Sequence, residues 1–540
     1  MRNKRFGVAA IALAAAGALA LSGCSTGSGD TASTGSSSAV ITTNGSEPQN
    51  PLIPTNTNET GGGKILDEIF AGLVYYDAKG KPVNDMAESI KTDDAQHYTI
   101  KIKSGQKFTN GEPVTAESFV KAWNYGAAKD NNQLSSYFFE SIEGFSYDEN
   151  VAELPGLKVV DDNTFTVDLV QPESDFPLRL GYSAFYPLPE AAWKDLDAFG
   201  QNPIGNGPYK LDGKSAWKHN EKISLVKNDD YKGGRVPKNG GLDIIFYATQ
   251  DASYADLQGG NLDVVDQIPT SALGSYQDDF PDHSVNQAAA IFQSFTIPAR
   301  LPHFSGEEGN LRRQAISLAI NRKQITDVIF SGTRTPAHDF TSPVIDGYSE
   351  KLKGADVLDY NADKAKELWA KADAISPWDG TFKIAYNADG GHQDWVDATT
   401  NSIKNVLGID ASGDPYPTFA EARTKITDRS IQTAFRTGWQ ADYPALYNFL
   451  GPLYGTGAGS NDGDYSNPKV DELLKEGLAE TDLDAANKKF QDVQEILFQD
   501  LPAIPLWYST VNGAWSDKVS DVQFGWNSVP LYYAITKAGK

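Results

Sequence analysis

The chain has 540 residues, 40% hydrophobic and 11% aromatic, enough apolar material for a substantial core and about two or three domains. Its formal net charge of −24 repels nucleic acid and anionic lipid headgroups, so neither is an expected partner. One cysteine, Cys24, leaves no disulfide and no thiolate metal site to carry fold or chemistry.

Arg2, Lys4 and Arg5 open the chain, residues 6–21 form an apolar stretch, and Leu21-Ser22-Gly23-Cys24 follows. This is a secretory leader, too short and too rich in alanine to remain as a membrane span. It resembles a lipoprotein signal over residues 1–23, in which Cys24 receives lipid and becomes the first residue. Residues 25–38 are Ser, Thr, Gly, Asp and Ala, so residues 24–39 read as a lipidated cysteine and flexible tether with a coil reach of about 20 Å. No later apolar run is long enough to cross a bilayer.

Strand-like alternation puts Tyr98, Ile100 and Ile102 on one face of residues 98–103, and recurs over residues 164–169. Between them, Asn110-Gly111-Glu112-Pro113 predicts a tight turn. A helix starts at Thr115, with Glu117 and Ser118 in its first turns. Two glycines before a proline in Gly205-Asn206-Gly207-Pro208-Tyr209 suit close backbone approach, and the segment reads as a hinge or crossover between lobes. Helical spacing joins Leu311, Ala315, Leu318 and Ala319 and continues to Ile325 and Val328. It returns at Val470, Leu473, Leu474 and Leu478, and at Phe490, Val493, Ile496 and Leu497. Helices and strands mixed along the chain predict an α/β body with more than one lobe.

Catalytic patterns are missing. The Gly-x-Ser-x-Gly match at Gly23-Cys24-Ser25-Thr26-Gly27 lies in the leader and tether, without the strand and helix that a nucleophile elbow needs. His97, His219, His283, His303, His338 and His392 are scattered and form no zinc-binding spacing. Asn461-Asp462-Gly463-Asp464 reads as an acidic turn, because Gly463 and Tyr465 fall where a calcium loop places oxygen ligands. No glycine-rich phosphate loop is present, and no cofactor is expected. The chain reads as a binding protein and not an enzyme.

Six segments carry a resemblance in order and spacing: Asn44-Gly45-Ser46-Glu47 through Asn50-Pro51-Leu52 with Ile69-Phe70-Ala71-Gly72-Leu73, and Gly105-Gln106-Lys107-Phe108 through Ala116. Then come Asn202-Pro203-Ile204-Gly205 through Tyr209, Gly438-Trp439-Gln440-Ala441-Asp442-Tyr443-Pro444, Tyr465-Ser466-Asn467-Pro468, and Ile504-Pro505-Leu506-Trp507-Tyr508. Over residues 40–540 the chain resembles the oligopeptide- and dipeptide-binding lipoproteins of ABC importers, family 5 of the extracytoplasmic solute receptors. Asn206 departs from the threonine usual there.

The resemblance implies a two-lobed periplasmic-binding-protein-like fold, type II, of the large peptide-binding cluster. Lobe I would comprise residues 40–70, 204–290 and 508–540, with an extra subdomain at 71–203, and lobe II residues 291–507. It implies that Asp442 pairs with the ligand α-amino group, with Gly438, Trp439 and Gln440 beside the peptide backbone like an added strand. The other reading of Asp442 is a turn cap ahead of Pro444. Asn58, Glu59 and Thr60 match the first-lobe segment that pairs with peptide backbone. Arg436 and His392 match basic positions for the ligand carboxylate, Arg423 less well, and all three are also compatible with ordinary surface charge. Tyr416 stands where oligopeptide receptors often carry Trp in a side-chain pocket.

The expected function is capture of oligopeptides and delivery to an ABC permease and its ATPase subunits by a monomer lipid-anchored on the outer face of the cell membrane. Family 5 also includes receptors for oligosaccharides, nickel complexes and haem, so the same fold binding another solute stays open. A secreted hydrolase is the remote alternative.

Overall fold

The computed structural model describes residues 38–57, 59–417 and 419–537. The leader, Cys24, all of the tether but its last two residues, and Asn58 lie outside the described residues. Among those described, one twelve-stranded sheet of mixed direction is built on two antiparallel thirteen-residue strands, Ser284–Thr296 and Ala503–Trp515. One wing continues from this pair through Val264–Val265, Val40–Gly45, Gly241–Phe246, Lys222–Lys227 and Tyr209–Leu211. The other runs through Ala434–Gln440, Thr381–Asn387 and Asp410–Tyr416.

The wings attach to opposite ends of the pair. Val264 and Val265 pair with Trp515 and Ala514, whereas residues 435–440 pair with residues 291–296. Between these ends the ladder loses register: Ala288 faces Thr510, and the next pair is Phe292 with Tyr508. The cores divide at the same place. Ala289 and Val511 are buried in a cluster with Ile41, Phe70 and Ile244, while Ala290 and Tyr508 are buried with Phe295, Ile384 and Leu497. Two lobes therefore share a sheet whose crossing strands are irregular where the lobes meet.

A second sheet, antiparallel and four-stranded, joins Ala87–Lys91, His97–Ile102, Thr164–Asp168 and Leu157–Asp161. Tyr98, Ile100 and Ile102 are buried while His97, Thr99 and Lys101 face out, the period of two expected from the sequence. Helix Ala116–Ala127 starts behind Thr115, whose backbone N–H donates to Ser118 Oγ at 3.2 Å in a reciprocal capping box. Its Trp123 is fully buried and donates to Phe185 O at 3.0 Å. These residues are continuous with the core of the first lobe.

Two expectations are corrected. Gly205-Asn206-Gly207-Pro208 does not cross between lobes; it is clamped on the end of helix Thr60–Ile69 inside the first lobe. A Cβ on Gly205 would stand 1.8 Å from Ile69 O, and Asn206 exchanges hydrogen bonds of 3.0 Å with both Ala71 N and Ala71 O. Backbone does approach backbone there, but the crossing belongs to the two long strands. The helical run from Leu311 to Val328 is two helices, Gly306–Leu318 and Arg322–Ile329, because Asn321 caps the second by accepting from Gln324 N at 3.1 Å. Val328 consequently points outward and is 70% exposed.

Candidate binding site

The strand Ala434–Gln440 has one fully paired edge and one open one. Its outer edge meets Thr381–Asn387 only at Ala434 and Phe435. From Arg436 to Gln440 no strand covers that edge among the described residues, and Gly438 and Gln440 are exposed. A strand edge with free N–H and C=O groups is a template for an extended chain.

Just past this strand, Ala441 N donates to Ala290 O at 2.9 Å and the chain turns through Asp442. Buried Asn448, on helix Leu446–Tyr454, fixes the turn from three sides. Its Oδ1 accepts from Asp442 N at 2.9 Å and from Trp439 Nε1 at 3.1 Å, while its Nδ2 donates to Asp442 Oδ2 at 3.1 Å. Burial pushes the Asp442 carboxyl up to about 6 against the opposing Asn448 hydrogen bond, and no described cation pairs with it.

Asp442 opens into a cavity of about 340 Å³ that both lobes line. From the first lobe come Glu59 and Thr60 at the start of helix Thr60–Ile69, where the Glu59 carboxylate accepts from Gly62 N at 2.8 Å. Asp67 and Glu68 follow at the end of the same helix. Tyr186 Oη donates to Asp67 Oδ1 at 2.8 Å. Tyr76 stands edge-on to Trp526 with centroids 5.4 Å apart, and its Oη donates to Leu178 O at 2.5 Å. Burial raises the phenols of Tyr76 and Tyr182, and the charges of Asp67 and Asp442 both add to it, so these rings lie in the field of both carboxylates.

A smaller cavity of about 200 Å³ lies farther back along the strand, lined by Arg423, Arg436, Gly438, Trp439 and Asp462. Arg423 is ion-paired with Asp462. Arg436 has no ion pair among the described residues, its buried Nε has no hydrogen-bond partner, and burial holds its guanidinium below the usual value. Six residues of strand geometry place Arg436 and Asp442 on the order of 20 Å apart along the chain.

Of the residues singled out from sequence, the first cavity gathers Asp442, Gln440, Glu59 and Thr60, and the second gathers Arg436, Gly438, Trp439 and Arg423. His392 and Tyr416 line neither. His392 precedes helix Gln393–Leu407 and its Nδ1 accepts from Trp395 Nε1 at 3.1 Å; Tyr416 packs on the cluster of Ala385, Ile426, Ile431 and Phe435. Asn448, Tyr76, Asp67, Tyr182 and Trp526 went unseen in the sequence. Tyr76, Asp67, Tyr182 and Trp526 come from segments far from Asp442 in the chain, Asn448 stands six residues after it on the next helix, and no spacing rule links any of them to Asp442.

Residues 81–461 match the family described as bacterial extracellular solute-binding proteins, family 5 middle. The chain is 26% identical over 480 residues to the oligopeptide-binding protein OppA of Bacillus subtilis (strain 168), covering 85% of each. It is 27% identical over 496 residues to the dipeptide-binding protein DppE of the same organism, covering 89% of each. Among solved structures, Haemophilus influenzae OppA in complex with the peptide RPPGFSPFR superposes with a TM-score of 0.74 at 22% identity, over 94% of this chain and 100% of that one. The two-lobed α/β fold is shared.

Proposed function

Because this chain belongs to the bacterial extracellular solute-binding proteins of family 5, a family of binding proteins and not enzymes, we propose that its ligand is an oligopeptide gripped at both termini. The observation that carries this reading is Asp442, a desolvated carboxylate that faces a cavity and has no ion pair among the described residues. A ligand ammonium supplies the missing charge, and a neutral sugar does not. The open edge from Arg436 to Gln440 takes the peptide main chain, and the unpaired Arg436 takes a terminal carboxylate. Glu59 and Thr60 face the peptide from the first lobe; a main-chain contact at Asn58, a contact of His392 with the ligand carboxylate and a side-chain pocket at Tyr416 belong to the same proposal. The relatives named for oligopeptide and dipeptide binding support the same ligand class.

We also propose lipid attachment at Cys24, delivery to an ABC permease with its ATPase subunits, and action as a monomer. The division into lobe I (40–70, 204–290, 508–540), its subdomain (71–203) and lobe II (291–507) belongs to this proposal. Native mass spectrometry of protein extracted from membranes tests ligand and anchor together. The expected result is a diacylglyceryl adduct on Cys24 and a retained set of short peptides. A carbohydrate or other non-peptide ligand contradicts the first part, and an unmodified Cys24 or wholly soluble protein contradicts the second.

A further inference from the structure

Five carboxylates line the cavity that Asp442 faces: Glu59, Asp67, Glu68, Asp77 and Asp442 itself. Two cations share the lining, and both are engaged by acids outside it. Lys64 is ion-paired with buried Asp266, and Arg235 lies 3.7 Å from fully buried Asp85. Arg235 donates to the main-chain carbonyls of Asp67 and Phe70, the latter at 2.9 Å, and to neither side chain on the helix. Glu59 is occupied by its helix cap, and Asp77 by the N–H groups of Lys79 and Lys81 at 2.8 and 2.9 Å.

What remains is Asp67 and Glu68 on one wall and Asp442 on the other: among the described residues Asp67 accepts only from the Tyr186 phenol and Asp442 only from the Asn448 amide, none of the three has an ion pair, and Tyr76 and Tyr182 lie in the field of both Asp67 and Asp442. Glu68 is only 5% exposed, and its Oε2 has no hydrogen-bond partner. An acid in that condition costs the folded chain stability unless something completes it. Burial raises Glu68 to about 8 against the opposing charge of Arg235, with the charge of Asp67 adding a little, and burial raises Asp67 against its Tyr186 hydrogen bond and Arg235. Among the described residues no three His, Cys, Asp or Glu are grouped so as to hold a metal ion together. The carboxylates are spread, and so must be the charge that meets them.

We propose that this cavity selects peptides whose first residue carries a cationic side chain, with Asp442 receiving the α-ammonium while Asp67 and Glu68 receive the side-chain charge. The inference rests on the peptide reading above and narrows it to one class of ligand. Asp67 and Glu68 leave the last turn of helix Thr60–Ile69 in different directions, yet both line the cavity, so a cation entering from the side of Asp442 meets acid on that wall. A carboxylate or apolar group at the same place leaves buried acids repelled or unpaired.

The probes are three tetrapeptides, Lys-Ala-Ala-Ala, norleucine-Ala-Ala-Ala and Glu-Ala-Ala-Ala, titrated calorimetrically into the full-length protein. Norleucine keeps the alkyl length of lysine without its charge. The lysine peptide is expected to bind at least tenfold more tightly than the norleucine peptide, with the glutamate peptide weakest. Asp67→Asn with Glu68→Gln is expected to shrink the lysine preference below about threefold. Lysine and norleucine peptides binding alike to the wild type overturns this inference and leaves the peptide reading standing. Failure of all three peptides to bind overturns both, and a lysine preference that survives the double substitution removes Asp67 and Glu68 from the subsite.

Discussion

Asp442 shows how a binding group carries a stability penalty in the free protein. Its carboxyl is raised from an ordinary 3.8 to about 6 by burial, so the folded state disfavours the charged form. Well below pH 4 the group is protonated whether the chain is folded or not, and the penalty is absent; it grows as pH rises from about 4 to 6 and is complete above that, on the order of 2–3 kcal/mol. Asp442→Asn keeps an acceptor for Asn448 Nδ2 and removes the charge. Thermal unfolding without ligand is expected to give a higher Tm for the variant at pH 7.5 and nearly equal Tm values at pH 4; an equal or lower Tm at pH 7.5 contradicts the assignment. Asp442 was legible because it sits in a recognisable run from Gly438 to Pro444. Asn448, which holds it, was not, because an asparagine on the following helix has no sequence mark separating a buried bracket from a surface residue.

At the level of elements, the sequence is readable wherever one face is wet. His97–Ile102 alternates because its other face meets solvent, and Thr115 with Ser118 marks a helix start by chemistry local to four residues. The strands that join the lobes lack such a signal. Ser284–Thr296 is almost continuously buried in its second half, since it lies between two other strands with core on both faces, and its period of two vanishes. Gly205-Asn206-Gly207-Pro208 drew the hinge assignment instead, its glycines needed for packing on Ile69 and Phe70. Asn206 is 3% exposed and its amide replaces a strand partner for Ala71. Asn206→Ala leaves both Ala71 groups unpaired and is expected to cost about 2–4 kcal/mol in denaturant unfolding. A loss under about 0.5 kcal/mol shows that water or a shifted backbone replaces the amide.

Over the whole molecule, the residue beside the proposed ammonium partner also joins the lobes. Tyr443 Oη donates to Asp175 Oδ2 at 2.9 Å, and its ring faces the Arg179 guanidinium, which is ion-paired with Glu173 at 2.9 Å and Asp175 at 2.7 Å. Ser174 N donates to Leu478 O at 2.7 Å nearby. Residues 173–179 and the second lobe thus meet next to the cavity that Asp442 faces, on a surface built from segments hundreds of residues apart. Order of motifs identified the family and the two lobes; it could not show which acids of the first lobe would face Asp442, because that depends on how the wings of the sheet fold toward each other. Calorimetric titration of wild-type and Asp442→Asn protein with one peptide in free and N-acetylated forms isolates the contact between Asp442 and the ammonium. The free peptide is expected to lose at least tenfold in affinity on Asp442→Asn, a change the acetylated peptide does not share, giving a coupling on the order of 2–5 kcal/mol. A coupling near zero contradicts capture of a peptide amino terminus by Asp442.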